Sequence, residues 1–308
     1  MYSNIELKFN TYFNDDLEKK INNILPTVFA CENFGSFGSK GYGCFTDENQ
    51  TQTDFEDLLK KEYANGSKLI YYWDTTETTD EKIVFQIKYF YALLKSGINV
   101  LGRETTDPKT YYKSLLMSYF KDKKHDSTKS IRWEKRGIKK EFGLVKRRAT
   151  YLDDGENSIP NGEDYKAVKP LLGYSESQEW QSYNLDNRHN NPIKIDFPDH
   201  DNIKRIPTPI FFKVFIDFQN NSTRIYFMLK NEEKYVDVIF GNNKEYTYSI
   251  NCHTPAIFLA PDTFDYPTFL QYAVTEINKM TSNGATSGTA KKVDDFITHL
   301  TTTQIKPL

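Results

Sequence analysis

The chain has 308 residues, of which 38% are hydrophobic and 15% aromatic, so it can bury a core sufficient for two domains or one elaborated domain. Its net charge of −2 excludes a uniformly basic protein that coats nucleic acid. The longest apolar runs are too short to span a bilayer, and no secretory signal pattern opens the chain, so we expect no membrane partner. Three cysteines without CxxC spacing favour neither a disulfide framework nor a zinc site, which fits a reducing cytoplasm.

The first predicted elements are a strand and a helix. Residues 5–13 alternate apolar and polar side chains, which is the period of a half-buried strand. Residues 17–28 then follow helical spacing, and Pro26 is expected to kink this helix or to divide it. A glycine-rich segment follows directly, and we expect another short strand to begin over residues 42–45.

The glycine-rich segment reads FGSFGSKGYG over residues 34–43. It is not a P-loop, because Gly41 rather than Ser or Thr follows Lys40, and its position between a helix and a strand is wrong for a dinucleotide fingerprint. Two interpretations stay open. The segment is either a flexible surface loop, or a cradle in which glycines at positive φ bring backbone amides to a phosphate and Lys40 adds charge. In a cradle, Phe37 and Tyr42 would offer faces for unstacked bases.

Two helices are predicted in the middle of the chain. Residues 80–96 have the clearest helical period, and Gly97 is placed to end that helix. A second helix is predicted over residues 111–120.

Strand patterns dominate the region after residue 200. Residues 210–218 and 223–230 are two strands joined by Asn220 and Asn221, and residues 235–240 are a third candidate. Consecutive hairpins of this kind predict an antiparallel sheet.

A helix over residues 266–280 and a basic, glycine-containing loop over residues 281–292 complete the pattern. This order of strands, helix and glycine loop echoes the first part of the chain and suggests two similar domains. Residues 151–164 are rich in Asp, Gly, Asn and Pro, which is typical of an exposed loop near a boundary. We therefore divide the chain into residues 1–164 and 165–308.

A strongly basic segment, RWEKRGIKKEFGLVKRR, occupies residues 132–148, where eight Lys and Arg residues outnumber two Glu residues. Such a segment creates a local positive field that attracts phosphates over roughly a Debye length. A solvated basic face is the alternative interpretation.

These motifs carry a resemblance to a known family. The helix that leads into FGSFGSKGYGCF resembles the RAMP superfamily of CRISPR-associated proteins, in which a glycine-rich loop joins the last helix of a ferredoxin-like domain to its final strand. Residues 131–143, 171–180 and 205–215 (IRWEKRGIKKEFG, LLGYSESQEW and RIPTPIFFKVF) are similar to segments of the subunit-one family of the type III-B (Cmr) effector complex, with Thr208 where serine is usual. Only about 34 residues precede the loop, so the first half of its domain is expected to be missing, permuted or supplied by later strands.

The resemblance implies an α+β fold of ferredoxin-like domains, with antiparallel sheets and packed helices. It also implies a non-catalytic, RNA-binding subunit of a type III effector complex in antiviral defence, with guide RNA, target RNA and other effector subunits as partners. We expect the glycine-rich segment and the basic segment to bind the RNA backbone. Their candidate residues are Gly35, Gly38, Lys40, Gly41, Tyr42, Gly43, Arg132, Lys135, Arg136, Lys139, Lys140, Arg147 and Arg148.

The sequence gives no positive case for catalysis. No nucleophile elbow, metalloprotease motif or paired catalytic constellation occurs, and we expect neither a metal nor a cofactor. RNA-processing RAMP enzymes typically use a histidine as acid or base, and His125, close to the basic segment, is the candidate here. Two alternatives stay open: a metal-independent endoribonuclease that processes guide RNA, and a protein-interaction subunit without RNA affinity of its own.

Overall fold

A computed structural model of the chain gives its fold. The structure describes residue 8 and residues 15–35, 38–46, 50–63, 69–100, 110–122, 131–133, 164–175, 177–183, 188–196, 205–217, 220–230, 245–249, 256–261 and 263–308. Apart from residue 8, which is not in a strand, the strand predicted over residues 5–13 lies outside these ranges, as does the third strand candidate over residues 235–240. Within them, no helix is long and apolar enough to cross a membrane.

The described residues form an α+β fold. The helices are α1 (Asp15–Cys31), α2 (Gln52–Tyr63), α3 (Asp80–Lys95), α4 (Leu115–Asp122), α5 (Tyr266–Ile277) and α6 (Gly288–Thr303). The strands are β1 (Ile70–Thr75), β2 (Ile98–Val100), β3 (Thr110–Tyr112), β4 (Ile131–Trp133), β5 (Asp164–Lys166), β6 (Tyr174–Ser175), β7 (Ser177–Tyr183), β8 (Arg188–Asp196), β9 (Arg205–Ile206), β10 (Ile210–Asp217), β11 (Ser222–Leu229), β12 (Glu245–Ser249), β13 (Ala256–Leu259) and β14 (Lys306–Pro307).

A four-stranded antiparallel sheet in the order β10, β11, β1, β14 forms the centre of the fold. Along the chain, β1 is followed by α3, and the β10–β11 hairpin is followed by α5, α6 and β14. The sheet therefore joins β1 to strands that lie more than a hundred residues later in the sequence. A second antiparallel sheet has the order β13, β12, β8, β7.

Helices cover both faces of the central sheet. Since successive side chains of a strand point to opposite faces, each strand contributes to two separate cores. On one face, Trp73 and Phe227 lie in a core with Phe90 of α3, whose ring is stacked on Trp73 with centroids 4.7 Å apart. On the other face, Phe215 contacts Phe55 of α2, with ring centroids 5.2 Å apart, in a core that α1 also joins.

The elements with strong local patterns confirm their predictions. The helix predicted over residues 80–96 is α3, and Gly97 (φ +75°) ends it by donating its amide to Ala92 O at 2.7 Å. The predicted hairpin is β10 and β11, with Asn220 and Asn221 in its turn, and the helix predicted over residues 266–280 is α5.

Three boundaries differ from prediction. The helix predicted from residue 111 begins only at Leu115, because Ser114 Oγ accepts the Met117 amide at its start, while residues 110–112 pair with β2. Pro26 lies inside a single helix, α1, so that of the two predicted outcomes, a kink or a division, the division is wrong. The predicted loop over residues 281–292 ends early, since α6 begins at Gly288.

Asp294 of α6 ties three elements together. Its side chain is buried, and Oδ1 accepts hydrogen bonds from Thr110 Oγ1 at 2.6 Å and from the Tyr112 hydroxyl at 2.8 Å. Its Oδ2 accepts the Ala285 amide at 2.7 Å. Burial alone would raise the pKa of Asp294, but these hydrogen bonds, together with one from Ser282, outweigh burial and lower the pKa below its ordinary value.

We expect Asp294→Ala to lower the free energy of unfolding by about 3 kcal/mol, because the donors of Thr110, Tyr112 and Ala285 would lose a charged acceptor. Because the folded-state pKa is depressed, the contribution is present above the ordinary carboxyl pKa and is lost as pH falls through the folded value. Urea unfolding at pH 7 and at about pH 3 measures both effects. The control, Asp295→Ala, removes an exposed partner of Lys291 and should cost under about 1 kcal/mol; an equal cost would contradict the role of Asp294.

Candidate nucleic-acid interface

The glycine-rich segment of residues 34–43, hereafter the glycine loop, follows α1, and its residues 39 and 40 lie along the outer edge of β10. Phe212 donates its amide to Ser39 O at 3.1 Å, and Lys40 forms a parallel bridge with Phe212. The loop thereby covers the edge of β10 that faces away from β11. Its described residues are held by the sheet, which disfavours the interpretation as a flexible surface loop.

Backbone turns shape the loop. Gly35, Gly41 and Gly43 have φ values of +83°, +78° and +67°, as expected for glycines that turn the chain. The strand predicted over residues 42–45 is wrong, because residues 41–43 form a turn and the left-handed region is incompatible with an extended strand. Two amides are used within the loop: Gly41 N donates to Gly38 O at 3.1 Å, and Phe34 N donates to Gly43 O at 3.0 Å.

The glycines differ in what surrounds them. A Cβ on Gly41 would lie 2.8 Å from Ile87 Cδ1, and a Cβ on Gly43 would lie 1.9 Å from Phe34 O. A Cβ on Gly35 would meet no atom within 4 Å. The absence of side chains at Gly41 and Gly43 therefore serves the packing of the loop, whereas the space around the Gly35 backbone is open.

Asn33, between α1 and the loop, fastens the loop to the sheet. Its Nδ2 donates to Gly38 O at 2.6 Å and to Phe212 O at 2.8 Å. Its Oδ1 accepts from Lys213 Nζ at 2.8 Å and from Cys44 Sγ at 3.1 Å. The carboxamide thus uses two donor and two acceptor positions, and it links α1, the loop and β10.

Helix α3 places one further cationic group, Lys95, beside Lys40 of the loop. Lys40 Nζ lies 4.7 Å from the ring centroid of Tyr91, and Lys95 Nζ lies 5.8 Å from the same centroid. Lys95 also donates to Gly173 O at 2.6 Å, and the Tyr91 hydroxyl donates to Leu172 O. The loop, α3 and the LLG sequence that the resemblance singled out therefore meet at one face.

Two aromatic side chains of the loop are exposed. Phe34 and Tyr42 have exposed fractions of 44% and 43%. Phe34 belongs to a ring cluster with Phe29 and Phe45, with centroids 5.7 to 6.3 Å apart. Phe37, the other ring predicted to stack with bases, lies outside the described residues.

The structure does not test the contribution of the basic segment. Arg132 lies in β4, where the backbone pairs in parallel with Tyr165 of β5. The other predicted residues of this segment and the candidate acid or base lie outside the described ranges: Lys135, Arg136, Lys139, Lys140, Arg147, Arg148 and His125. His299 has a structural partner, since its Nε2 lies 2.7 Å from Asp74 O. Among the described residues, no group of three His, Cys, Asp or Glu side chains is placed to hold a metal.

Three residues of this candidate site escape prediction from local pattern: Asn33, Tyr91 and Lys95. Tyr91 and Lys95 lie on a helix that the sequence predicts correctly, but nothing local to them indicates that α3 adjoins the glycine loop. Asn33 sits one residue before the loop, and its role depends on β10, about 180 residues later.

Two protein-family models together match most of the chain. Residues 1–98 match the family model of the Cmr1 N-terminal domain, and residues 111–295 match that of the Cmr1 C-terminal domain. No curated protein and no solved structure matches. The two family models meet between residues 98 and 111, whereas the sequence indicated a boundary at residue 164, which stays a prediction. The chain therefore belongs to the Cmr1 family, subunit one of the type III-B CRISPR effector complexes and a family of RAMP proteins.

Proposed function

We propose that this effector subunit binds RNA without cleaving it, and that the glycine loop and the adjoining face of α3 hold the phosphate backbone of guide or target RNA. The observation that carries the proposal is the convergence of Lys40, Tyr91 and Lys95 beside a loop fixed to the sheet edge. Two ammonium groups within 6 Å of one ring centroid concentrate positive charge at the loop. Such a face attracts phosphates.

The chemistry of the face suits RNA of varied sequence. Lysines act as point charges on phosphates and read no base identity. The exposed rings of Phe34 and Tyr42 add surfaces on which any unpaired base can stack. Both properties favour a subunit that holds RNA irrespective of its sequence, as an effector loaded with different guides requires.

The architecture directs RNA to the loop rather than to the sheet. The order β10, β11, β1, β14, with helices following β1 and β11, supports the proposal of a ferredoxin-like unit. Many RNA-binding domains of this type use an open sheet face, on which bases stack. Here α1 and α2 cover one face and α3, α5 and α6 contribute to the core on the other, so the sheet edge with its glycine loop is the accessible alternative.

The basic segment would extend the same path. We propose that Arg132 and the cations that follow it add phosphate contacts beyond those of the loop, in keeping with their local excess of positive charge. This part of the proposal rests on the sequence and on family membership.

Binding of fluorescently labelled single-stranded RNA over a salt series tests the proposal. If the face contacts three phosphates, the affinity should fall about twentyfold between 50 and 200 mM salt, since each contact contributes a slope of about −0.7. The RNA from each endpoint is then run on a denaturing gel. Intact RNA supports a binding subunit, shortened RNA in the presence of chelator favours the endoribonuclease, and no binding at low salt favours the protein-interaction subunit.

A further inference from the structure

A lysine is completely buried beneath the glycine loop. Lys213 lies in the apolar run of β10, and its side chain has 0% exposure. Its Nζ donates to Glu32 O at 2.5 Å and to Asn33 Oδ1 at 2.8 Å, and both acceptors are neutral amide oxygens. Lysine is almost never fully buried unless its charge is paired, so this position requires an explanation.

The carboxylate of Glu32, which acts on Lys213, is engaged elsewhere. Glu32 Oε2 forms an ion pair with Lys230 Nζ at 2.5 Å, at a more exposed position. Within the ranges that the structure describes, no carboxylate oxygen forms an ion pair with Lys213. The end of α1 offsets part of the cost of burial, because carbonyl groups at a helix C-terminus carry partial negative charge.

The two thiols and the phenol in this cluster remain neutral at pH 7. Burial raises the pKa of Cys31 to about 11 and also raises the pKa of Cys44, so both thiols stay protonated. Burial raises the pKa of Tyr63, whose hydroxyl donates to Cys31 O at 2.8 Å. Burial lowers the pKa of Lys213 itself. Besides Glu32, the charged side chains that act on this cluster are Glu62 and Lys230.

We propose that Lys213 is a fixed buried cation that charges the glycine loop from beneath and strengthens its attraction for RNA phosphates. Only the carboxamide of Asn33 separates its ammonium group from Gly38 O in the loop. A buried charge is screened by salt much less than a surface charge, so its field reaches the loop at physiological ionic strength. The inference rests on the proposed function, which names the anion as RNA.

A purely structural role is the competing explanation, since Lys213 also satisfies a carbonyl at the end of α1. Two variants separate charge from hydrogen bonding. Lys213→Met removes both, whereas Lys213→Gln removes the charge and keeps a donor amide. Lys291→Met, which removes an exposed lysine paired with Asp295, is the control for the loss of one positive charge.

At pH 7 and low salt, we expect Lys213→Met and Lys213→Gln to bind single-stranded RNA about tenfold more weakly than the wild type, and Lys291→Met to bind within about twofold. Thermal unfolding should show that both Lys213 variants remain folded, since the loss of a hydrogen bond at Glu32 O or Asn33 Oδ1 costs about 1–3 kcal/mol and removal of the buried charge relieves its desolvation cost. As pH rises, the wild type should lose affinity through the lowered pKa of Lys213, and the two variants should lack this component.

Each outcome decides the inference. Folded Lys213 variants that bind within twofold of the wild type would overturn it and leave the proposed function standing. If Lys213→Gln bound RNA as tightly as the wild type and Lys213→Met bound it weakly, Lys213 would act through hydrogen bonding alone. The same conclusion would follow if both variants bound RNA weakly but their affinity fell with rising pH as that of the wild type does. Absence of RNA binding by the wild-type chain would overturn the proposed function and this inference together.

Discussion

Exchange of both Lys40 and Lys95 for glutamate is expected to weaken the binding of single-stranded RNA about a hundredfold at low salt. Each exchange removes an attraction to phosphate and introduces a repulsion, for which about tenfold per site is a conservative value. The two ammonium groups lie 4.7 Å and 5.8 Å from the ring centroid of Tyr91, one from the loop and one from α3. Fluorescence anisotropy over a salt series measures the loss, and the slope should become shallower by about 1.4.

The control for this experiment is the exchange of Lys82 and Lys291 for glutamate. It changes the net charge equally, but Lys82 lies at the opposite end of α3 and Lys291 lies on α6. Because Lys95 also donates to Gly173 O, thermal unfolding must accompany the binding measurement. Equal affinities of the two double variants would show that net charge, rather than this face, governs binding.

Local sequence pattern was sufficient for those elements whose structure is decided within one turn or one hairpin. Helix α3 follows from its apolar period and the glycine that ends it, and the β10–β11 hairpin follows from two strand patterns around Asn220 and Asn221. The helix predicted from residue 111 fails for a local reason of another kind. The sequence around Tyr112 is compatible with a helix or with a strand, and the pairing of Tyr112 with Ile98 selects the strand.

Long-range pairing could not be predicted from the same patterns. Strand β1 lies between β11 and β14, and no local signal specifies a partner more than 150 residues away. The position of the glycine loop has the same origin, because its docking on β10 depends on Asn33 and Phe212. Of the three alternatives for the first half of this domain (missing, permuted or supplied by later strands), the third agrees with that contact.

Lys213 shows that an exception within a pattern carries information. The sequence IFFKVF predicts a strand, and its burial on both faces leaves no solvent for a lysine. A cation in such a run signals a specific set of oxygen acceptors, here Glu32 O and Asn33 Oδ1. The sequence alone could indicate that such acceptors exist. Only the fold could show that they belong to the two residues between α1 and the glycine loop.

The glycine loop itself offers the sharpest structural test, at Gly43. We expect Gly43→Ala to lower the free energy of unfolding by about 3 kcal/mol or more. An L-residue at a φ of +67° costs about 1–2 kcal/mol, and overpacking adds about 1–3 kcal/mol. The new Cβ would lie 1.9 Å from Phe34 O, a backbone atom that cannot rotate away as a flexible side chain can. Urea unfolding measures the cost.

The matched control is Gly35→Ala, in the same loop and at a similar φ of +83°, where a Cβ meets no atom within 4 Å. Only the conformational cost of about 1–2 kcal/mol applies there, so Gly43→Ala should be the less stable variant. Equal stabilities would contradict the close approach of Gly43 to Phe34.

Because the Phe34–Gly43 hydrogen bond closes the loop, Gly43→Ala should also weaken RNA binding through a change of loop shape. Gly35→Ala places a methyl group on the open backbone, so a loss of RNA affinity there without comparable destabilisation would locate the RNA at that surface.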